Sequence, residues 1–391
     1  MSGFTMSVFG ELGGFNGVNG VNGVNGVNGV NGVNGVNGVG SFDSPINMDA
    51  LIRVRDGIVG SWAPPTTVPP HLNLDDPKQM QRWSPSVRAS VIDFELFSRL
   101  GFGHDGKDAV AFWHTSVGPR AGIAPPSVSY KPLLCLRRPT METFKAQLNL
   151  VNNYAELRQD RASEILAQLG LPIIFLSSIT NLSPSRTPWT IELLTAALRL
   201  VSFVALRCKH TLLCHRPSDL SPAIQPIIQT PAHSALPSGH SSEAFICALV
   251  LSKLLSAAER KDHAWQKQLM KLASRIAVNR TVAGVHYPVD SIAGCLLGLT
   301  MGNYLVARSQ DRCTTYTAWT FRGEVFGDPD VPSVPSDTDF EWRDLLDENA
   351  ATAGSQIARK KYVNDDGAQT DERLGSPLLF WLWKKALDEW A

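Results

Sequence analysis

PSGHSSEAFICALVLSKLL, residues 237–255, reads as a tight turn running into a helix. The helical run spans Ala244 to Leu255 and carries Phe245, Leu249, Leu251 and Leu255, so Ser238, Gly239 and His240 fall at its N-terminus. Backbone N–H groups at a helix start lack intrahelical partners, and with the helix dipole they favour an anion. Ser238 adds a hydroxyl, Gly239 lets the backbone approach closely, and His240 faces the same anion. Pro-Ser-Gly is also ordinary turn punctuation, so the weight of this stretch depends on what flanks it.

Upstream, Lys209 and Arg216 stand seven residues apart at the end of a strongly helical stretch from Pro188 to about Thr211. Seven residues is close to two turns, so a continuing helix projects both cations from one face. A guanidinium fork and a compact ammonium suit several oxygens of one phosphate-like group. Alone, they read as a solvated basic face. Downstream, Arg280 precedes His286 by six residues and Asp290 follows it by four, with Pro288 between them to open the next helix. A carboxylate there can accept the N–H of His286, fix its tautomer and leave the other nitrogen as nucleophile or ligand. A lone His near an Asp is more often a structural pair. The neighbouring Ser274-Arg275 lies too far from His286 to fit.

Together these residues resemble the superfamily that joins type 2 phosphatidic acid phosphatases, bacterial nonspecific acid phosphatases and vanadium-dependent haloperoxidases. Its pattern is Lys, six residues, Arg-Pro; then Pro-Ser-Gly-His; then Ser-Arg, five residues, His, three residues, Asp. The chain presents Lys209 to Arg216-Pro217, Pro237 to His240, and Asn279-Arg280 to His286 to Asp290, departing only at Asn279. Three ordered motifs with correct spacing carry far more weight than one. The resemblance covers about residues 188–302.

It implies a mainly α helical bundle in which His286 attacks phosphorus, Asp290 orients it, and His240 protonates the leaving oxygen and later activates water. Lys209, Arg216, Ser238, Gly239 and Arg280 would stabilise the equatorial oxygens. In haloperoxidase members the same pocket holds vanadate, the His286 equivalent ligates the metal, and peroxide oxidises halide. Nineteen residues between Pro217 and Pro237, and 39 between His240 and Arg280, resemble the compact phosphatases. His233 pulls the other way, occupying the position where haloperoxidases tune halide oxidation, although a loop His bonded near the pocket explains it equally. The expectation is therefore a phosphatase acting on phosphate monoesters or diphosphates without a cofactor. The alternatives are a vanadate-dependent haloperoxidase using halide and peroxide, with His286 as metal ligand, and a noncatalytic phosphate-binding relative.

Composition frames this reading. The 391 residues are 43% hydrophobic with a formal net charge of zero, enough chain for a large core and a poor match to a nucleic-acid surface. Six scattered cysteines lack metal-ligand spacing and read as free thiols. Residues 1–45 hold eight Asn-Gly-Val copies from Asn16 to Val39, with little to bury, and read as a flexible tail. Residues 46–135, rich in Pro and Trp, read as an irregular region packed on the core; 136–310 as the helical catalytic domain; 311–391 as a linker and last helix from Pro377 to Trp390. The aromatic stripe of that helix fits its own core or a contact between subunits in a homo-oligomer. No run of about 20 apolar residues stands out, because Glu192, Arg199 and Arg207 punctuate the Pro188 helix. Gly294, Gly298 and Gly302 read as a close helix–helix approach. With no secretory signal recognised, the expected location is cytoplasmic.

Overall fold

The computed structural model describes residues 45–118, 126–258, 263–346, 357 and 360–391; the Asn-Gly-Val tract lies outside them. The chain divides into two units at Asp76/Pro77. The first contains helix α1 (Pro45–Ile58), followed by chain without helix or strand to Asp76.

The second unit carries everything else. Helix α2 (Pro85–Phe97) leads into strands β1 (Leu100–His104), β2 (Ala109–Val117) and β3 (Val128–Arg137). Helices α3 (Met141–Tyr154), α4 (Arg158–Ala167), α5 (Ile173–Thr180), α6 (Pro188–Leu212), the short α7 (Pro217–Leu220), α8 (Gly239–Ala257), α9 (His263–Val282) and α10 (Pro288–Arg308) follow. Strands β4 (Thr315–Arg322) and β5 (Val363–Thr370) precede the last helix, α11 (Pro377–Asp388).

Helix α8 is the centre of the packing. Every residue from Ser241 to Ser252 is buried, as expected of a helix apolar on all sides, and α6, α9 and α10 surround it. Its contact with α10 is exceptionally close, because Gly294, Gly298 and Gly302 line the facing side. A Cβ at these positions would stand 2.6 Å from the Ser238 carbonyl, 2.5 Å from the Ser242 carbonyl and 2.8 Å from Leu249 Cδ2. Gly298→Ala therefore forces the two helices apart, and we expect a loss of about 1–3 kcal/mol in denaturant unfolding. The approach also matters for the site, since the Ser238 amide donates to the Asp290 carbonyl at 2.9 Å and joins the starts of α8 and α10.

The expectation of a mainly α bundle is corrected by a five-stranded sheet ordered β1-β2-β3-β4-β5. Among the described residues the protein is 54% helix and 13% strand, a helix-rich α/β structure. β1, β2 and β3 pair antiparallel in succession, β3 pairs parallel with β4, and β4 pairs antiparallel with β5. The period-2 signal is present in β2, whose Val110, Phe112, His114 and Ser116 face inward. Pro132 weakens it in β3: a proline cannot donate to the ladder, and the register shifts where Trp113 meets it. The parallel pair brings Leu134 opposite Trp319, a contact no local pattern reveals.

The cytoplasmic expectation also fails, because its premise does. Two helical stretches, Pro188–Leu220 and Pro288–Arg308, are long and apolar enough to cross a membrane by length and composition. Two of the three charges that punctuate the first are met by ion pairs: Arg88 of α2 pairs with Glu192 at 2.7 Å, and Arg199 with Asp93 at 2.7 Å. Most of both stretches is buried inside the protein.

At the C-terminus, the stripe on α11 is buried within the chain, with Leu379, Leu382 and Trp383 facing inward. Glu389 just beyond it accepts the Trp189 and Thr190 amides at 2.7 and 2.8 Å, neutralising the open N-terminus of α6.

Candidate active site

The pocket forms where the starts of α8 and α10 meet the ends of α6 and α9. Lys209 sits in the last turn of α6, but the helix does not continue to Arg216 as the spacing suggested. Leu213 adopts a left-handed conformation (φ 50°) that ends it, and Arg216 stands in extended backbone before α7. The two cations still converge by gripping one loop. Lys209 Nζ donates to the Ser234 and Ala235 carbonyls at 3.0 and 2.7 Å, and Arg216 Nε to the His233 carbonyl at 3.0 Å.

Gly284 turns the chain between α9 and α10 with φ +82°, a conformation costly for other residues. This turn delivers His286 to Arg216, whose Nη1 lies 3.0 Å from His286 Nε2 and 2.7 Å from the Val285 carbonyl. On the other side of the ring, Nδ1 lies 3.0 Å from Asp290 Oδ2, which also accepts the Tyr287 amide at 3.0 Å. The tautomer follows from the partners. A guanidinium only donates, so Nε2 holds a lone pair; Oδ2 accepts, so Nδ1 carries the proton.

His240, in the first turn of α8, has the opposite tautomer. Its Nε2 lies 3.0 Å from the Gln168 carbonyl, which can only accept, so Nε2 carries the proton. Ser238 caps α8, its hydroxyl accepting the Ser241 amide, and space beside Gly239 is open. Arg280, at the end of α9, is fully buried and donates through Nη2 to Gln168 Oε1 at 3.0 Å. Its Nε and Nη1 have no partner. His233 accepts from Arg216 Nη2 through Nδ1 at 3.0 Å.

The electrostatics are those of an anion site. Lys209, Arg216 and Arg280 are buried, yet among the described residues none of their side-chain donors bonds to a carboxylate; their bonds go to carbonyls, imidazoles and an amide. Asp290 lies near Lys209 and Arg216, Asp219 near Arg216 and Glu164 near Arg280, and Asp290 Oδ1 is unpartnered. Buried charge left without a counter-charge is strongly disfavoured, so the arrangement calls for an anion. Burial lowers Arg216 and Arg280 to about 10, still fully charged at neutral pH. Burial and the nearby cations push His286 and His240 well below the usual imidazole value, keeping both neutral. Burial drives Asp290 upward, opposed by the Tyr287 amide, Lys209 and Arg216.

Residues 190–313 match the family model of the PAP2 superfamily. That segment is similar to the PAP2 superfamily. PAP2 members are generally phosphoric ester hydrolases or haloperoxidases, and many are membrane proteins, which with the two long apolar helices removes the basis for a cytoplasmic location. No curated protein matches the chain. The matched segment contains every residue singled out from the sequence, and the structure brings Lys209, Arg216, His233, Ser238, Gly239, His240, Arg280, His286 and Asp290 into one neighbourhood.

Two residues near it carried no sequence signal. Glu243, one turn after His240, is buried, accepts the Ser202 hydroxyl at 2.9 Å and is pushed up to about 7 by burial. Gln168 closes α4, outside the matched segment, and no motif marks it. Asn279, where the superfamily pattern has Ser, donates to Glu164 and Gln168 at 2.9 Å each.

Proposed function

We propose that this protein is a PAP2-type phosphatase that hydrolyses phosphate monoesters or diphosphates through a phosphohistidine. The observation that carries the reading is the Nε2 lone pair of His286, held by Asp290 on its far side inside a cluster of three buried basic side chains. In the first step Nε2 bonds to phosphorus while the bond from phosphorus to the ester oxygen breaks. The charge of the bound phosphoryl group favours a second proton on His240 Nδ1, which passes to the leaving oxygen while Nε2 keeps its bond to the Gln168 carbonyl, and the positive charge on the His286 ring is met by Asp290. Water then attacks phosphorus, gives a proton to His240, and displaces Nε2, releasing phosphate. Arg280 Nε and Nη1, Lys209, Arg216 and the start of α8 stabilise the equatorial oxygens as charge builds on them.

Vanadate fits the same donors. The unpaired Arg280 donors and the basic Nε2 of His286 suit an oxyanion bound to an imidazole, with Lys209, Arg216, Ser238 and Gly239 on its oxygens. When bound there it would supply Lewis-acid activation of peroxide. The contact of His233 with Arg216 favours this second reading, because it sets a neutral imidazole, pushed down to about 4 by burial and by Lys209 and Arg216, at the pocket edge.

The test assays a phosphate monoester and bromide oxidation side by side, with and without orthovanadate and peroxide. Hydrolysis without added metal, with vanadate only inhibiting, is the expected result. Bromide oxidation gained with vanadate and no ester turnover would establish the haloperoxidase instead. Phosphate binding with neither activity would leave a noncatalytic relative.

A further inference from the structure

We propose that Gln168 is a positioning residue of the pocket, holding Arg280 so that its free edge faces the bound anion. This rests on the phosphatase reading for its catalytic consequence, although the binding consequence stands independently. Gln168 is buried at the C-terminal end of α4, and all of its polar groups are engaged. Oε1 accepts from Arg280 Nη2 at 3.0 Å and Asn279 Nδ2 at 2.9 Å, while Nε2 donates to Glu164 Oε1 at 2.9 Å. These partners admit one orientation of the amide: its oxygen must face the two N–H groups and its nitrogen the carboxylate. The main-chain carbonyl of the same residue accepts a hydrogen bond from His240 Nε2 at 3.0 Å. One residue thus touches both a charge-stabilising cation and the general acid.

The frame behind Gln168 is well anchored. Arg275 grips Glu164 with three bonds of 2.7–3.0 Å, and Arg161 donates to Asn279 Oδ1 at 3.0 Å. Arg275, excluded from the motif by its spacing, therefore serves one layer behind it. Asn279 fits this frame because its amide spans Glu164 and Gln168 together, a reach that serine's single hydroxyl lacks.

The neutral amide is the chemically suitable group. A carboxylate bonded to Arg280 would pair with the guanidinium and compete with the anion, whereas an amide oxygen fixes Nη2 and leaves the charge unspent. Nε and Nη1 remain unpartnered on the same buried fork.

A double-mutant cycle between Gln168 and Arg280 tests this, read both by titration calorimetry with inorganic phosphate and by kcat/KM for a phosphate monoester. Gln168→Met keeps the length of the side chain and removes its hydrogen bonds. We expect phosphate affinity and kcat/KM each to fall about 10–100-fold, the effect of losing a hydrogen bond to a charged group. In an Arg280→Met background the same change should add nothing beyond about twofold. A merely structural Gln168 would lower both quantities by the same factor in either background, and that result overturns the proposal. So would Gln168→Met binding phosphate as the unaltered protein does. Should the methionine variant fail to fold, Gln168→Asn, one methylene too short to reach Arg280, carries the same cycle and the same expectations. If the unaltered protein binds phosphate but hydrolyses no ester, the phosphatase reading fails while the binding cycle still decides the role of Gln168.

Discussion

His286→Ala lowers kcat for phosphate ester hydrolysis by roughly 10³–10⁶-fold, the scale of losing a nucleophile, while inorganic phosphate still binds. Catalysis goes because, among the described residues of this pocket, His286 is the imidazole oriented by a buried carboxylate. Binding survives because Lys209, Arg280 and the start of α8 do not depend on the imidazole for their placement. The alanine variant leaves Asp290 with the Tyr287 amide and costs about 1–3 kcal/mol of stability. His286→Asn separates the two effects, since its side-chain amide can restore a donor to Oδ2 without supplying a nucleophile. Recovered stability with no recovered turnover is expected from calorimetric melting and steady-state assays; full activity in either variant would falsify the role of His286. In the unaltered protein the acid limb of kcat/KM should lie below pH 6.5. Burial and the charges of Arg216 and Lys209 disfavour protonation of His286, so its lone pair persists into acid where an ordinary imidazole would have lost it.

The pocket was legible in the sequence to the extent that its parts are local. Ser238, Gly239 and His240 share one helix start, and His286 and Asp290 straddle another, so spacing alone brings each group together. Lys209 and Arg216 were grouped for a reason the structure replaces: the helix stops at Leu213, and the shared carbonyls of residues 233–235 reunite the cations. Gln168 had no such signal, because its contacts with Arg280 and His240 span 112 and 72 residues. The sheet was missed for the same reason. β3 and β4 pair across the whole helical region, and the proline in β3 blurs the alternation that would have marked it. Hydropathy likewise cannot separate a helix surrounded by protein from one surrounded by lipid. Glu192 and Arg199 do not interrupt the helix, because each has an ion-pair partner on α2.

Asp290 tests how charge is divided in the pocket, because its replacement should move binding and turnover in opposite directions. Asp290→Ala is expected to lower kcat about 10²–10⁴-fold, as the imidazole loses the partner that orients it and offsets its positive charge in the phosphorylated state. Phosphate affinity should rise in the same variant. The change removes a carboxylate adjoining Lys209 and Arg216, so more of their charge is left for the anion. Asp290→Asn refines the comparison through geometry. Oδ2 already accepts from both His286 Nδ1 and the Tyr287 amide, whereas Oδ1 is unpartnered. An asparagine can therefore place its oxygen at the first position and keep the tautomer of His286, losing only the negative charge. Its kcat should fall between those of the alanine variant and the unaltered protein, with phosphate bound as tightly as in alanine. Weaker phosphate binding in both variants would mean that Asp290 acts chiefly by holding the α10 N-terminus in shape; tighter binding with slower turnover assigns its charge to the imidazolium of the reaction.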